Sequence, residues 1–475
     1  MLKSTFLNIL SPILPSSKGF IAKLVEFYRG TTSLKLLKEY EQSDMFNRMD
    51  LNNIQIKKFN DLIKSIYKNN IYYSNQFKEN NKEKFLIKTL DEISEFNILS
   101  KNELRIGLKN RILHKNMVNM RYELATSGGT SGDPVTLYMD RNARSHGSAA
   151  LLRYYGWWDV QIGDKMAVLW GRQLNPNQSK LNILKSDLHR LLGNRLFLNT
   201  FVINDKILSN HYSEIFNYNP IILRGYANSL YLFAKHIDSN NLKLWSSLKI
   251  ISSTSEKLTV KMKDFIEKVF KKPVTNQYGC GEVYGAAFEC PEGRNIHIAE
   301  EHVYIECLNA SDEPVYEEEG RIVITDLDNY ITPLIRYEVG DLGIITNEKC
   351  ICGRIHKVIK EITGRLSDEL LLANNNKIAP SYWSVLFRQF PEIDQACIIA
   401  VSKNELIIDF LLNNDFNKKN ILFIKKTIKD VVGDDIILEF RKVKRIMKTN
   451  SGKHEWVIKK DIPGRYNTEN IIKIL

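Results

Sequence analysis

Between Met1 and about Arg121, apolar residues recur three and four positions apart among charged ones, the period of an amphipathic helix. Leu62, Ile63, Ile66 and Tyr67 show the pattern, and this whole stretch is expected to be mainly helical. After Leu124 the period breaks at a glycine-rich loop, and Pro134 to Met139 then reads as a strand. Short apolar runs follow at Ile221 to Leu223, Leu248 to Ser252 and Pro273 to Tyr278, with helical stretches between them. Runs of this kind are the buried strands of an α/β unit. Beyond Glu300 the texture turns to β, at Val303 to Cys307, Arg321 to Thr325 and Leu342 to Thr346. From Leu366 onward the chain has the size of a small α+β domain. In it, Ala396 to Val401 and Glu405 to Leu411 read as paired strands, and Asn420 to Val431 as a helix. The expected fold is therefore α/β. A large N-terminal domain, residues 1–365, has α/β layers plus a β subdomain, and a small α+β domain follows over 366–475.

A chain of 475 residues, 43% of them hydrophobic, can bury a core large enough for an enzyme. The net charge of +12 invites a nucleic-acid reading. The lysines and arginines are spread along the whole length, however, without a zinc-finger, RNA-recognition or basic-zipper pattern, so no nucleic-acid partner is expected. The apolar run from Phe6 to Leu14 is broken by Pro12 and is too short to span a bilayer. It is expected to be a helix packed on the body of a cytoplasmic protein without a transmembrane segment. Of six cysteines, five lie between Cys280 and Cys352, a distribution unlike that of a disulfide-stapled secreted domain.

The densest local signal is Thr126-Ser127-Gly128-Gly129-Thr130-Ser131-Gly132-Asp133-Pro134. Glycines let backbone N–H groups approach an anion closely, and the hydroxyls add donors for phosphate oxygens. Thr130 or Ser131 can also reach a bound Mg²⁺. The loop lacks the closing Gly-Lys-Ser/Thr of a Walker A motif, and taken alone it reads equally as a flexible surface turn.

The loop does not stand alone. It closely resembles the phosphate-binding loop of the adenylate-forming superfamily of acyl-CoA synthetases, adenylation domains and luciferases. Val135 stands where that loop usually closes on lysine, as in the phenylacetate–CoA ligase branch and its capsule-biosynthesis relatives. Further segments follow in the family's order. Arg224-Gly225-Tyr226-Ala227 resembles the substrate-pocket segment, which implies Arg224, Tyr226, Cys280 and Tyr284 as pocket residues. Ser252 to Leu258 resembles the adenine-contacting turn, with Ser255 and Glu256 at the nucleotide but without the family's usual glycines. Gln277-Tyr278-Gly279-Cys280-Gly281-Glu282 resembles the motif that lays an aromatic ring and Gly279 against adenine and turns a glutamate toward Mg²⁺. In Arg336 to Asp341, which resembles the ribose motif, Asp341 is the implied acceptor for the hydroxyls. Gly364-Arg365-Leu366-Ser367-Asp368 resembles the hinge, with Arg365 near ribose and phosphate and Asp368 as pivot. Lys448 to Lys453 resembles the C-terminal catalytic loop.

The resemblance implies an ATP-dependent ligase that makes an acyl-AMP, with Lys453, Glu282 and Thr130 catalytic and Mg²⁺ at Glu282 and Thr130. CoA is the expected acceptor. The alternative is an amine or hydroxyl on a precursor of a surface polysaccharide, and the reading of a different class is an inactive nucleotide-binding homologue. Each residue also has a plain structural reading: Tyr278 as a core aromatic, Glu282 as a helix-start carboxylate, Lys453 as a solvated charge. The ordered series, ending at Lys453, favours the functional one.

Cys290, His297, Cys350 and Cys352 are read separately, from their chemistry. Three thiolates and an imidazole in two close pairs suit a closed tetrahedral zinc site of structural type. Reduced, buried cysteines are the alternative.

Overall fold

The N-terminal helices form where the apolar spacing places them. They are α1 (Ser33–Ser43), α2 (Arg48–Asn69), α3 (Ile71–Glu79) and α4 (Lys101–Asn110). A capping box opens α2, where the Asn47 side chain accepts from the Asp50 backbone N–H and Asp50 answers to that of Asn47. Its apolar stripe of Leu51, Phe59, Leu62, Ile63 and Ile66 is buried. This is the computed structural model of the chain. It describes residue 26 and residues 30–79, 86–110, 112–126, 135–170, 194–200, 205–255, 258 and 260–365, then 370–371, 377–378, 383, 386–387, 390, 392–412, 417–433, 435–443, 457–459 and 471–473.

An antiparallel hairpin of β1 (Tyr122–Thr126) and β2 (Thr136–Asp140) flanks the glycine-rich segment, with Thr126 opposite Thr136. Helix α5 (Arg141–Trp157) starts directly after it, capped by the Asp140 carboxylate, which accepts from the Ala143 N–H at 2.8 Å. Then come β3 (Met166–Trp170), β4 (Arg195–Asn199), α6 (Asp205–Tyr218), β5 (Ile222–Tyr226), α7 (Ala227–Ser239), β6 (Ile250–Thr254), α8 (Val260–Phe270) and β7 (Val274–Tyr278). The order β3-β5-β6-β7 is parallel throughout, as connections through helices require.

The sheet continues past β7. Strands β8 (Ala287–Glu289), β9 (Ile296–Ile298), β10 (Val303–Leu308), β11 (Glu319–Asp326), β12 (Tyr337–Thr346) and β13 (Val358–Arg365) extend it to eleven strands in the order β10-β11-β12-β13-β9-β8-β7-β6-β5-β3-β4. The β-rich region beyond residue 300 is thus hydrogen-bonded into the same sheet as the parallel strands, by way of antiparallel β8, β9 and β13.

The chain falls into two compact units whose main boundary lies between Thr363 and Gly364, with Asn199–Leu208 grouped with the second. The second has a five-stranded mixed sheet built on β16 (Ile393–Ser402), β17 (Glu405–Leu412) and β18 (Ile437–Val443), after two short strands, β14 (Leu370–Leu371) and β15 (Lys377–Ile378). Trp383, Phe387, Phe410 and Phe440 fill its core together with Ile421, Ile424 and Ile428 of α9 (Lys418–Val432). Among the described residues no helix is long and apolar enough to cross a membrane.

Candidate functional site

Open parallel sheets gather ligands beyond the carboxyl ends of their strands, and the chain places its chemistry there. Tyr278 is the last residue of β7, and its hydroxyl donates to Asp341 Oδ2 of β12 at 3.0 Å. Just beyond the strand end, the buried Glu282 carboxylate accepts from the Tyr337 hydroxyl at 2.9 Å. Lys101 of α4 reaches the same carboxylate, with its Nζ 4.0 Å from Glu282 Oε1. Burial, and then the negative charges of Glu282 and Asp341, push the Cys280 thiol well above the usual cysteine range. Four residues read from the sequence, Tyr278, Cys280, Glu282 and Asp341, converge here, and Gly279 lies in the same turn.

The close approach of this turn to α5 depends on two glycines. A side chain at Gly147 would collide with the Tyr284 carbonyl, and one at Gly285, where φ is +79°, would collide with the Gly147 backbone. One turn before Gly147, Arg144 lays its guanidinium over the Tyr284 ring, 3.8 Å from the centroid. Arg224 of β5 acts electrostatically on the Tyr284 phenol and lies 5.8 Å from the Trp170 ring centroid. Tyr226 packs on Trp170 with ring centroids 4.4 Å apart. The pocket residues expected from the sequence, Arg224, Tyr226 and Tyr284, are thus joined through Trp170. Ser255 follows β6 with φ of +67°, exposed at the strand end. Ser127, Gly128, Gly129, Thr130, Ser131, Gly132, Glu256, Asp368 and Lys453 lie outside the described residues, as does the side chain of Arg365, whose backbone closes β13.

Lys101, Tyr337 and Arg144, and Arg195, whose charge acts on the Tyr284 phenol, were not marked as site residues in the sequence. Tyr337 was within reach, because it sits inside the segment that marked Asp341. The three basic residues lie outside every motif, and nothing local marks them.

The cysteines and histidine come together elsewhere in the first unit. One ligand atom from each of Cys290, His297, Cys350 and Cys352 lies within 4.8 Å of every other. Cys290 Sγ is 3.6 Å from Cys350 Sγ, far beyond a disulfide bond, and Cys352 Sγ is 3.3 Å from His297 Nε2. The pairing of β9 with β13, His297 opposite Val358, brings the two halves of the cluster together. His297 Nδ1 faces the His356 carbonyl at 3.3 Å, which leaves Nε2 turned to the thiols. Burial pushes the Cys290 thiol up to about 12, while burial and the neighbouring His356 hold His297 down to about 3, so the imidazole is neutral and able to ligate.

The CapK C-terminal domain family matches residues 370–460. Protein CapK of Staphylococcus aureus is 27% identical over 418 residues, covering 86% of this chain and 89% of its own. Phenylacetate-coenzyme A ligase of Thermus thermophilus is 30% identical over 168 residues, 34% of this chain and 37% of that one. Among solved structures, 2-hydroxyisobutyryl-CoA ligase in the postadenylation state, in complex with 2-HIB-AMP, superposes with a TM-score of 0.63 at 16% identity, covering 88% of this chain and 91% of the other. The same ligase in the thioesterification state, with 2-HIB-AMP and CoA, gives 0.60 at 15% identity over 88% and 91% of the two chains. This chain is therefore a relative of CapK and phenylacetate–CoA ligase with the fold of an adenylate-forming CoA ligase.

Proposed function

We propose that this chain is an AMP-forming ligase. A carboxylate oxygen of the acid attacks the α-phosphorus of ATP, the bond to the bridging oxygen breaks, and pyrophosphate leaves. A thiol, CoA in the simplest case, then attacks the acyl carbon, loses its proton, and AMP departs. What supports this is the convergence of Tyr278, Glu282, Tyr337 and Asp341 beyond the end of β7, in a chain with this fold. Tyr278 offers its ring to adenine, Asp341 accepts from the ribose hydroxyls, and Ser127 to Gly132 of the glycine-rich loop cradle the outer phosphates. A Mg²⁺ held by Glu282 and Thr130 would supply neutralising charge at the phosphates. Lys453 bridges the two reacting anions as a mobile point charge. ATP and CoA are metabolites of the cytoplasm, where this reading places the protein.

A second reading keeps the adenylate and changes the acceptor to an amine or hydroxyl on a surface-polysaccharide precursor. It is favoured by the similarity to CapK, which runs along nearly the whole of both chains. Pyrophosphate release across a panel of carboxylic acids, with and without CoA, separates the two. Acyl-CoA formation is expected under the first. Acid-dependent pyrophosphate that CoA leaves unaccelerated turns the reading to the second, and no pyrophosphate with any acid ends both.

In the same proposal the hinge lies at Asp368, with residues 1–365 as the adenylation domain and 366–475 as the lid. Because transfer requires the lid to rotate about a backbone pivot, Asp368→Pro is expected to spare adenylate formation and stop the thiol step. Half-reaction assays check this, and equal loss in both moves the pivot elsewhere.

Cys290, His297, Cys350 and Cys352 are proposed as a structural zinc site. The donor set fits: four ligands of the preferred N/S type, mutually within 4.8 Å, with the imidazole tautomer fixed by a backbone carbonyl.

A further inference from the structure

Three half-buried guanidiniums, those of Arg144, Arg195 and Arg224, act on the Tyr284 phenol. The neighbours that act electrostatically on Arg224 are the phenols of Tyr155, Tyr284 and Tyr154. Its Nε is buried without a hydrogen-bond partner. Arg144 stacks on the Tyr284 ring and pairs with Glu123 at 3.7 Å, on the more exposed side. Arg195, at the start of β4, adds a third guanidinium. Burial alone would raise the Tyr284 phenol, yet the charges of Arg144, Arg224 and Arg195 outweigh it and hold the group below the usual tyrosine value. Buried charges are ordinarily paired. Here three guanidiniums act on one phenol, and among the described residues Glu123 pairs with Arg144 alone. Arginine forks match planar or tetrahedral oxyanions bidentately.

We propose that the acid activated by this chain carries a second anionic group, a carboxylate or a phosphate, bound by Arg144, Arg195 and Arg224 around Tyr284. The inference rests on the ligase reading and names its substrate class. The reacting carboxylate lies toward Glu282, and the second group lies toward β5, with the aromatic walls of Trp170 and Tyr226 beside it.

The test uses the full chain with Mg²⁺ and ATP, and three matched pairs of acids: glutarate against pentanoate, homophthalate against phenylacetate, and phosphoglycolate against glycolate. At least one dianionic acid is expected to exceed its neutral-tailed partner by roughly 10- to 100-fold in kcat/KM, the worth of a charged hydrogen-bond set. The third pair tells phosphate from carboxylate. Arg224→Gln is expected to collapse that ratio by roughly tenfold or more. Should that variant not fold, Arg144→Gln, on the more open side, is expected to lower it as well. Neutral-tailed acids equal to or better than their partners in all three pairs overturn the proposal, as does a ratio unchanged in both variants. Calorimetric binding of the acids without ATP keeps the two readings apart. Dianion binding lost in Arg224→Gln but accompanied by no pyrophosphate release upholds the pocket and removes the ligase. Pyrophosphate release with neutral-tailed acids alone upholds the ligase and removes the pocket.

Discussion

Replacing Cys350 with serine is expected to empty the protein of zinc and to lower its melting temperature by on the order of 10 °C. Loss of a structural metal belongs to the mutations that cost more than about 4 kcal/mol, and each kcal/mol moves the midpoint by roughly 2–4 °C in domains of moderate size. The location makes the effect large. The residues just after Cys352 tie the sheet to the N-terminal helices. The His356 side chain meets Glu301 at 2.7 Å, Glu301 pairs with the buried Arg153 at 2.5 Å, and Ser43 of α1 bonds the same carboxylate. Arg48 of α2 holds Glu300 through two nitrogens and the Ile355 carbonyl through one of them. Freeing the 350–352 turn therefore loosens a buried charge network in which an unpaired member is expensive. Metal analysis of protein purified without chelator, beside a thermal melt, checks the expectation. Cys307→Ser is the control, because Cys307 is buried elsewhere, its Sγ 3.1 Å from the Gly343 carbonyl, and that variant should keep its metal. Zinc-free wild-type protein, or a Cys350→Ser variant that melts like wild type, removes the site.

The cysteine–histidine cluster also shows what a sequence reveals and what it withholds. Each half was legible, because Cys-x-Cys and Cys…His are local patterns with a chemical meaning. Their union depends on β9 meeting β13, a long-range pairing that no local pattern encodes. The same division runs through the fold. The buried strands β5, β6 and β7 announced themselves as apolar runs, and their observed ends differ from the expected ones by up to three residues. The continuity of the sheet was not announced, since β8 and β9 are three residues each, too short to carry a period. The site divides likewise. Tyr278, Glu282 and Asp341 were marked because motif context singles out residue types. Arg224 was marked in the same way, whereas Lys101, Arg144 and Arg195 were not, because a cation's value depends on which distant residue it faces.

Glu282→Gln is expected to lower acid-dependent pyrophosphate release by roughly 10²- to 10³-fold, the usual loss when one preorganised electrostatic group at a reacting centre is removed. The substitution is nearly isosteric. Glutamine's carbonyl oxygen can still accept from the Tyr337 hydroxyl, which lies 2.9 Å from the native carboxylate, so the buried pair is kept and the fold should stand. What disappears is the negative charge. In the proposed reaction that charge would help hold Mg²⁺, which would supply neutralising charge where one anion must attack another and neutralisation is most of the catalysis. It also balances Lys101, 4.0 Å away, so the variant leaves a cation facing an amide. The phosphates of ATP can take up that cation, and nucleotide affinity is therefore expected to change only a few-fold while kcat falls. Two measurements make the expectation decisive. The Mg²⁺ concentration for half-maximal rate should rise in Glu282→Gln, and Tyr337→Phe, which removes an orienting hydrogen bond but no charge, should cost far less. A Glu282→Gln enzyme with near wild-type turnover would remove Glu282 from the chemistry. A loss matched by Tyr337→Phe, with unchanged Mg²⁺ dependence, would make the carboxylate a structural partner of Tyr337 rather than a ligand for the metal.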